Sequence, residues 1–405
     1  MSGPPTLVLN SRSRSIGAIS AIIDDIIPFA LQTLAQESVR RWPGYAPTPL
    51  HDLKGRAGEL GVARLAYKDE APRFGLKSFK ALGGGFAVQR HLQACLAEQI
   101  GAPVELDSLL QGHYRSLTRG ITVAAATDGN HGRAVAWSAK VFGCSATIFI
   151  HETVSPGRER AIAAFGAAIR RVPGVYEDAL RACAREASIK GWTVISDTAY
   201  PGCMDTPRTV MAGYTVMVDE AVTQWHRDRD GNVDPTPPSH VFVQAGVGGL
   251  AAAVTASLHK HYGSSMPRIT VVEPSRADCC FQSARLGHWA PASGDLDTIC
   301  AGLACGEPSR LAWDILDASA FGFMTVDDAA AIAEMRRLAS PLPGDAVIVA
   351  GESATCGLAG LTAALRQPGS AAALGLSPSA RVMVFGSEGD TDADLYKKLI
   401  LSPSS

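Results

Sequence analysis

The feature that most constrains the fold is a regular alternation of short apolar segments with helix-forming segments. A first series begins at residue 121, with ITVAAAT, SATIFIH, AIRRVPG and TVISDT separated by stretches typical of helices. A second series, VFVQA, RITVVEP, FGFMTV and ARVMVFGS, begins at residue 241. Strands that alternate with helices pair in parallel through right-handed crossovers. The sequence therefore predicts an α/β protein with two parallel sheets.

Length and composition exclude several classes of protein. The 405 residues are 46% hydrophobic and 19% charged, which suits a globular chain of more than one domain. A formal net charge of -2 leaves no electrostatic footprint for nucleic acid or an anionic membrane. Asp24 and Asp25 interrupt the most apolar stretch, and the N-terminal residues contain no apolar signal core, so we expect a cytoplasmic protein with no membrane partner. The nine cysteines are scattered without a Cys-x-x-Cys pair, and we expect no metal site.

One lysine stands at the start of a predicted helix. Ser78 suits an N-cap and residues 79–82 can begin the helix, which places Lys80 in its first turn. The positive end of the helix dipole disfavours a second cation there, so this lysine should lose its proton more easily than usual. A neutral lysine attacks aldehydes and can form a Schiff base with pyridoxal phosphate. Taken alone, the pattern fits an ordinary surface lysine better.

A glycine-rich turn separates the strand that begins at residue 241 from the next helix. Such glycines let backbone N–H groups close around a phosphate at a helix N-terminus. With Ala251 as its last position, the turn also satisfies the dinucleotide fingerprint, and Glu273 ends the next strand at the usual distance. A nicotinamide-dependent oxidoreductase therefore stays open as an alternative. The glycine loop consists of Gly246, Val247, Gly248, Gly249 and Leu250.

Two further corners follow apolar strands, TDGNHG at residues 127–132 and FGSEGDTD at residues 385–392. Together with Lys80 and the glycine loop, they resemble the fold type II pyridoxal phosphate-dependent enzymes. More narrowly, the sequence resembles diaminopropionate ammonia-lyase. This resemblance spans residues from about 40 to about 395 and rests on WPGYAPTPL, RFGLKSFKALGG, ATDGNHGRAVAW, SDTAYPG, AGLACGEP and SEGDTD.

The resemblance implies an architecture. A fold type II enzyme has two α/β domains built on parallel sheets, with the cofactor in the cleft between them. The larger domain would be discontinuous, comprising residues 1–95 and 200–405, and residues 96–199 would form the smaller one. The resemblance also implies a homodimer. A pair of cysteines in the family's pattern can form a disulfide bridge, here Cys279 with Cys305.

The resemblance also implies roles for single residues. Lys80 would hold the aldehyde carbon of pyridoxal phosphate and carry protons, with Phe79 beside the cofactor. The glycine loop would hold the phosphate, and Asn130 would donate its amide to the ring oxygen. Ser387 would bond the pyridine nitrogen, where a neutral hydroxyl does not force that nitrogen to stay protonated and so favours elimination.

Two aspartates are candidates for the acid–base chemistry. Asp128 is a carboxylate at a position where related dehydratases carry a small residue, and Asp197 in SDTAY is a second one. One carboxylate would hold the β-ammonium of the substrate while another group takes the α-proton. Lys80 and Asp128, on opposite faces, would then serve opposite enantiomers. A structural alternative is that Asp128 caps the helix that begins at His131 and Asp197 closes a turn.

The expected reaction is the pyridoxal phosphate-dependent α,β-elimination of 2,3-diaminopropionate to pyruvate and ammonia. The same cofactor with another leaving group, as in serine or threonine dehydratase or a β-replacing enzyme, is the nearest alternative. A catalytically silent binding relative is a third class. Neither the enantiomer preference nor the true substrate follows from the sequence.

Overall fold

A computed structural model describes residues 6–127, 129–227 and 233–401. The described residues form eleven strands and seventeen α-helices. The strands are β1 (Leu7–Leu9), β2 (Leu50–Asp52), β3 (Arg64–Asp69), β4 (Thr122–Ala126), β5 (Ser145–His151), β6 (Ala168–Val172), β7 (Thr193–Val194), β8 (His240–Gln244), β9 (Arg268–Pro274), β10 (Gly322–Val326) and β11 (Arg381–Gly386).

The helices occupy most of the chain between these strands. They are α1 (Ile16–Ile26), α2 (Phe29–Val39), α3 (Lys54–Leu60), α4 (Lys80–Ile100), α5 (Leu106–Leu110), α6 (Arg115–Thr118), α7 (Asn130–Phe142), α8 (Pro156–Ala163), α9 (Tyr176–Lys190), α10 (Asp205–Trp225), α11 (Gly249–Tyr262), α12 (Cys279–Leu286), α13 (Arg310–Ser319), α14 (Asp328–Ala339), α15 (Cys356–Arg366), α16 (Pro368–Leu374) and α17 (Ala393–Leu401).

The chain forms two compact units. Unit 1 comprises Met1–Phe29, Pro47–Lys77 and Met217–Ser405, and unit 2 comprises Ala30–Ala46 and Ser78–Val216. The sequence prediction assigned residues 30–46, 78–95 and 200–216 to the large domain, whereas in the structure they group with unit 2. Helix α4 packs closely against α7, and its three consecutive glycines allow this because a Cβ on Gly84 would already lie 3.2 Å from Ala134 Cβ.

Unit 1 is built on a seven-stranded sheet with the order β1-β10-β9-β8-β11-β3-β2. The five central strands are parallel, and β1 and β2 pair antiparallel at the two edges. The second apolar series supplies β8 to β11, as predicted. These strands read as continuous apolar runs because both faces of the sheet are covered, and all five residues of β8 are buried.

The core of unit 1 joins side chains from the central strands to helix α15. Full burial of each large apolar side chain contributes about 1.5–3 kcal/mol, so this cluster is a main source of the unit's stability. Its members include Leu65, Phe242, Val272, Met324, Val382, Leu358 and Leu361.

Unit 2 carries a four-stranded parallel sheet with the order β6-β5-β4-β7. The first apolar series supplies these strands, as predicted. Residues of β4 and β5 pack against helix α9 through Phe149, Ala179 and Cys183, all of them buried. The carboxyl ends of β4 and β7 lie at one edge of this sheet, and the corners that follow them carry Asn130 and Asp197.

Pro28 divides the apolar stretch near the N-terminus. Its ring cannot continue a helix, and α1 ends at Ile26 while α2 begins at Phe29. Helix α1 buries Ile19, Ile23 and Ile26 on one face. In the described part of the chain, no single helix is long and apolar enough to cross a membrane, and only α1 and α2 taken together as a bent pair reach that length and composition.

Candidate active site

Lys80 is the first residue of α4 and belongs to unit 2. The helix begins one residue later than predicted, and Phe79 occupies the cap position without a side-chain capping bond. Ser78, the predicted N-cap, still contributes, because its Oγ accepts the backbone N–H of Lys80 at 3.3 Å. The Lys80 side chain is 19% exposed, and its Nζ lies 2.6 Å from Asp197 Oδ2. The helix start thus presents an accessible ammonium group to a carboxylate.

Asp197 follows β7 in a tight turn. The N–H of Ile195 bonds to Ala124 O in the neighbouring strand, and Ser196 Oγ accepts the N–H of Thr198, so the backbone on both sides of the aspartate is held in place. Burial alone would raise the pKa of the Asp197 carboxyl, but the charge of Lys80 outweighs it and holds that pKa well below its usual range. The neighbouring lysine thus favours the ionised form of Asp197.

His131 lies beside this pair, and the sequence interpretation left it out of the chemistry. Its Nε2 lies 2.7 Å from the carbonyl oxygen of Ile195, which can only accept, so Nε2 carries the proton. The other nitrogen, Nδ1, lies 3.8 Å from Asp197 Oδ2. Burial lowers the pKa of His131, which favours the neutral ring. In the sequence, only the Gly-Asn-His corner indicated that His131 could belong to the site. Its proximity to Asp197 depends on the turn after β7.

Aromatic rings flank the lysine. The ring centroids of Phe79 and Tyr214 are 4.6 Å apart, and Lys80 Nζ lies 5.3 Å from the first and 5.8 Å from the second. A Cβ on Gly83 would collide with the Tyr214 ring, so the glycine run of α4 is needed for this packing. Burial raises the pKa of Tyr214 well above its ordinary value. No motif in the sequence indicated Tyr214, which lies in the middle of α10.

The Gly-Asn corner follows β4. Thr127 Oγ1 accepts the N–H groups of Gly129 and Gly132 at 3.0 and 3.1 Å, which closes the turn. Gly129 has a φ of +154°, a conformation that strongly favours glycine, and Asn130 is the first residue of α7. Asp128 lies outside the described residues. The corner therefore brings Asn130 to the same sheet edge as Asp197.

The glycine loop lies in unit 1, between β8 and α11. Gly248 has a φ of +91°, in the left-handed region, and the helix begins at Gly249. A Cβ on Gly246 would lie 2.9 Å from Cys305 Sγ and 3.2 Å from Gly302 O, so the position excludes any side chain. The first turn of a helix leaves N–H groups without intrahelical acceptors, which makes the loop suited to an anion.

Ser387 also belongs to unit 1 and follows β11. It is buried, and its Oγ accepts the amide Nε2 of Gln244, the last residue of β8, at 2.8 Å. The next turn is held by Lys77, whose carbonyl accepts the N–H of Gly389 and whose Nζ pairs with Asp390 Oδ1 at 2.7 Å. Within this unit the structure brings Ser387 and the strand that leads into the glycine loop together through Gln244.

All nine cysteines are free thiols in the structure. The bridge between Cys279 and Cys305 that the resemblance implied is therefore not formed. Cys279 Sγ instead lies 3.5 Å from Gly246 O and 3.6 Å from Glu273 Oε1, where the thiol acts as a weak donor.

Known proteins resemble this chain over most of its length. A family model described as pyridoxal-phosphate dependent enzyme matches residues 41–379. The chain is 37% identical to diaminopropionate ammonia-lyase of Escherichia coli (strain K12), over 91% of this chain and 90% of that protein.

Solved structures show the same fold. The selenomethionine holo diaminopropionate ammonia lyase of Escherichia coli superposes with a TM-score of 0.88 at 34% identity, covering 99% of this chain and 97% of that one. A processed threonine deaminase isoform 2 from Solanum lycopersicum shares the fold alone, with a TM-score of 0.72 at 18% identity over 98% and 97% of the two chains. The predicted fold class, α/β of fold type II, is confirmed, and the chain belongs to the pyridoxal-phosphate dependent enzyme family and, within it, to the diaminopropionate ammonia-lyases.

Proposed function

We propose that this protein catalyses the pyridoxal phosphate-dependent α,β-elimination of 2,3-diaminopropionate. One water is taken up, and one pyruvate and two ammonia molecules leave. The observation that carries the proposal is the pairing of Lys80 Nζ with Asp197 at 2.6 Å in a chain that is 37% identical to a diaminopropionate ammonia-lyase.

The glycine loop fits the phosphate of the cofactor. Gly246 approaches Cys305 and Gly302 too closely for any side chain, and Gly248 holds a left-handed conformation directly before helix α11. Backbone N–H groups of residues 246–250 would bind the phosphate oxygens, with the positive end of the helix dipole behind them. No lysine or arginine from the loop itself is needed for this binding.

The ring of the cofactor would be held by residues of both sequence corners. Within unit 1, the Ser387 hydroxyl would bond the pyridine nitrogen. Within unit 2, Asn130 would donate its amide to the ring oxygen and Phe79 would lie alongside Lys80. When bound, pyridoxal phosphate supplies the electron sink that stabilises the negative charge left by loss of the α-proton.

Lys80 and Asp197 would divide the proton transfers. Lys80 Nζ, once released from the cofactor, would take the α-proton of the substrate and return a proton to the departing β-amine. Asp197 would stay ionised next to it and hold either the Lys80 ammonium or the β-ammonium of the substrate. A substrate with a β-ammonium is well matched to this partly buried carboxylate, whereas the neutral hydroxyl of serine gains no charge pairing from it.

Asp128 is proposed as the base for one enantiomer and Lys80 as the base for the other. Opposite configurations at Cα present the α-proton on opposite faces, so two bases would be needed for both. Substitution of Asp128 by asparagine should then lower turnover of one enantiomer selectively. Equal loss on both enantiomers would instead assign Asp128 to binding or to the cap of α7.

A homodimer in the cytoplasm is proposed for the working protein. The family resemblance supports the dimer. The scattered spacing of the nine cysteines, which indicates no disulfide framework, supports a reducing compartment. Light scattering of the purified protein on a sizing column measures the oligomeric state. Fractionation of the producing cells identifies the compartment.

The test uses purified protein loaded with pyridoxal phosphate and checked for visible absorbance of the bound cofactor. D- and L-2,3-diaminopropionate and D- and L-serine are supplied separately, and pyruvate is measured with a coupled dehydrogenase. The expected result is rapid pyruvate formation from one or both diaminopropionate isomers and at least about tenfold slower formation from serine, since a lost charge pair is worth roughly 1.4 kcal/mol or more.

Bound cofactor with no pyruvate from either diaminopropionate isomer would contradict the substrate and leave the family assignment intact. Faster turnover of serine would assign the protein to the dehydratases. A protein that binds no pyridoxal phosphate would contradict the proposal as a whole.

A further inference from the structure

Gln244 is a fully buried glutamine that no part of the proposed mechanism uses. It ends strand β8, directly before the glycine loop. Its Nε2 donates to the carbonyl oxygen of Phe385 at 2.9 Å and to Ser387 Oγ at 2.8 Å. Both hydrogens of the amide are therefore committed to residues at the end of strand β11.

The orientation of this amide is determined by its surroundings. The carbonyl oxygen of Phe385 can only accept, so the atom 2.9 Å away must be the NH2 group. The amide oxygen points the other way, toward Gly357 in the first turn of helix α15, where a Cβ would lie 3.1 Å from it. The positive end of that helix complements a carbonyl oxygen. A flipped amide would place its oxygen against the carbonyl oxygen of Phe385 and lose that bond.

The orientation of the Gln244 amide determines where the hydroxyl hydrogen of Ser387 can point. Because Gln244 donates to Ser387 Oγ, the serine cannot donate back to it. The described residues offer Ser387 Oγ no other hydrogen-bond partner within the protein. Its hydrogen is thus left for a group outside the protein, and the ring nitrogen of pyridoxal phosphate is an acceptor of the right kind.

We propose that Gln244 is a positioning residue that makes Ser387 a hydrogen-bond donor to the pyridine nitrogen of bound pyridoxal phosphate. The inference rests on the proposed function, in which Ser387 contacts that nitrogen. Gln244 touches neither cofactor nor substrate in this role. It sets the direction of one hydrogen bond, and so keeps the ring nitrogen an acceptor rather than a donor.

The direction of this bond matters for the reaction. A pyridine nitrogen that accepts from serine carries no proton, which weakens the electron sink and suits elimination better than broad carbanion chemistry. Gln244→Met has nearly the same length and cannot donate, so the Ser387 hydroxyl becomes free to rotate. We expect kcat to fall by about 2- to 10-fold, the size of one net hydrogen bond.

Nitrogen-15 NMR of cofactor labelled at the pyridine nitrogen tests the hydrogen bond between Ser387 and that nitrogen, because the position of the signal depends on the bond. Holoenzymes of the wild type, Ser387→Ala, Gln244→Met and Gln89→Met are compared. Gln89 is a matched control, since it is a buried glutamine in unit 2 that accepts from Trp42 Nε1 at 2.7 Å. The Gln244→Met signal should move from the wild-type position toward that of Ser387→Ala, and the Gln89→Met signal should stay at the wild-type position.

A Gln244→Met signal at the wild-type position would overturn the proposal. If Gln244→Met does not fold, Gln244→Glu replaces it. An ionised carboxylate only accepts and takes the Ser387 hydrogen, so its signal should move toward that of Ser387→Ala as pH rises. A signal that stays at the wild-type position across the pH range contradicts the proposal.

The proposed function fails in a different way. Wild-type protein that binds no cofactor contradicts the enzyme assignment. Identical signals from wild type and Ser387→Ala would show that Ser387 does not contact the nitrogen. Both results come from the wild type and Ser387→Ala alone, so they are distinguished from a failure of the Gln244 proposal.

Discussion

Lys68, in β3, and Lys80, at the start of α4, pair with carboxylates at nearly the same distance, yet their surroundings differ. Lys68, in unit 1, has no exposed side-chain surface, and its Nζ donates to Thr48 O at 2.7 Å, Glu220 Oε2 at 2.7 Å and Gln224 Oε1 at 3.1 Å. All three hydrogens of its ammonium group are used. Lys80, in unit 2, is 19% exposed and faces Asp197 and two aromatic rings.

The carboxylates that pair with these lysines, Glu220 and Asp197, also differ in their surroundings. Glu220 bonds Arg73 as well as Lys68, and Arg73 in turn bonds Glu70 at 2.8 Å, so four charges form one buried network. Burial opposes the charge of Glu220, but Arg73 and Lys68 outweigh it and lower its pKa. Asp197 has a lysine beside it that is still accessible. A lysine whose donors are all bonded inside the protein is structural, whereas a reachable one at a helix start can react.

The largest expected effect separates the two lysines directly. Lys80→Ala should lower kcat on diaminopropionate by about 10⁴-fold or more, since it removes the group proposed as both the cofactor-binding nucleophile and a proton carrier. Pyruvate formation measures the loss. Residual turnover like that of the wild type would remove Lys80 from the chemistry.

Disruption of the Lys68 network should lower stability, whereas loss of Lys80 lowers activity. Glu220→Gln leaves Lys68 and Arg73 buried without a full counter-charge and should lower the free energy of unfolding by about 3–5 kcal/mol. Urea denaturation followed by circular dichroism measures this loss. Glu186→Gln is the matched control, because Glu186 pairs with Lys190 at 2.6 Å on the surface and should cost at most about 1 kcal/mol. Similar losses in both variants would contradict the contrast.

Asp197→Asn should lower kcat by about 10²-fold, because the amide neither holds an ammonium group nor neutralises Lys80. The pKa of Asp197 is depressed in the folded protein, so its ion pair is present above the ordinary carboxyl pKa and is lost only as pH falls through the lower, folded value. Between the ordinary carboxyl pKa and neutral pH, the pH–rate profile of the variant should therefore keep the shape of the wild-type profile. A limb in that range that the variant loses would be assigned to Asp197.

The smallest effect concerns Glu273, a fully buried carboxyl that accepts backbone N–H groups of Cys280 and Phe281. Burial raises its pKa to about 8. The folded state then binds more protons than the unfolded state between the ordinary glutamate pKa of 4.5 and about 8, so stability falls as pH rises through that window.

Glu273→Gln should remove about 1 kcal/mol of this loss between pH 6 and pH 7. Urea midpoints of wild type and variant at the two pH values give the change of slope, which is independent of any constant cost of the substitution. Equal slopes would show that Glu273 does not titrate there. Unequal slopes would show that two carboxyl groups of this protein have pKa shifts in opposite directions. The pKa of Asp197, beside a cation, is lowered, and that of Glu273, beside backbone N–H groups, is raised.

Patterns within short stretches predicted several parts of the molecule correctly. The two series of apolar strands appear as the central strands of the two sheets, and the glycine loop joins β8 to α11. These features depend on periodicity and glycine, which act over a few residues.

Other parts were beyond the reach of such patterns. Tyr214 and Gln244 belong to no motif, and their importance comes from the side chains they meet across other elements. His131 belonged to a recognised corner, yet only the position of the turn after β7 brings it to Asp197. The unit boundaries also differed, because helix packing determines where residues 78–95 belong.

The sequence by itself determined the α/β class, the family resemblance and the glycine loop, and it singled out Lys80 as the candidate for the reactive lysine. Only the tertiary structure decided which carboxylate meets that lysine, which lysine is enclosed and which amide donates to Ser387. The physical reason is distance along the chain. Lys80 and Asp197 lie far apart in sequence but 2.6 Å apart in space, and such a meeting depends on how the strands and helices pack.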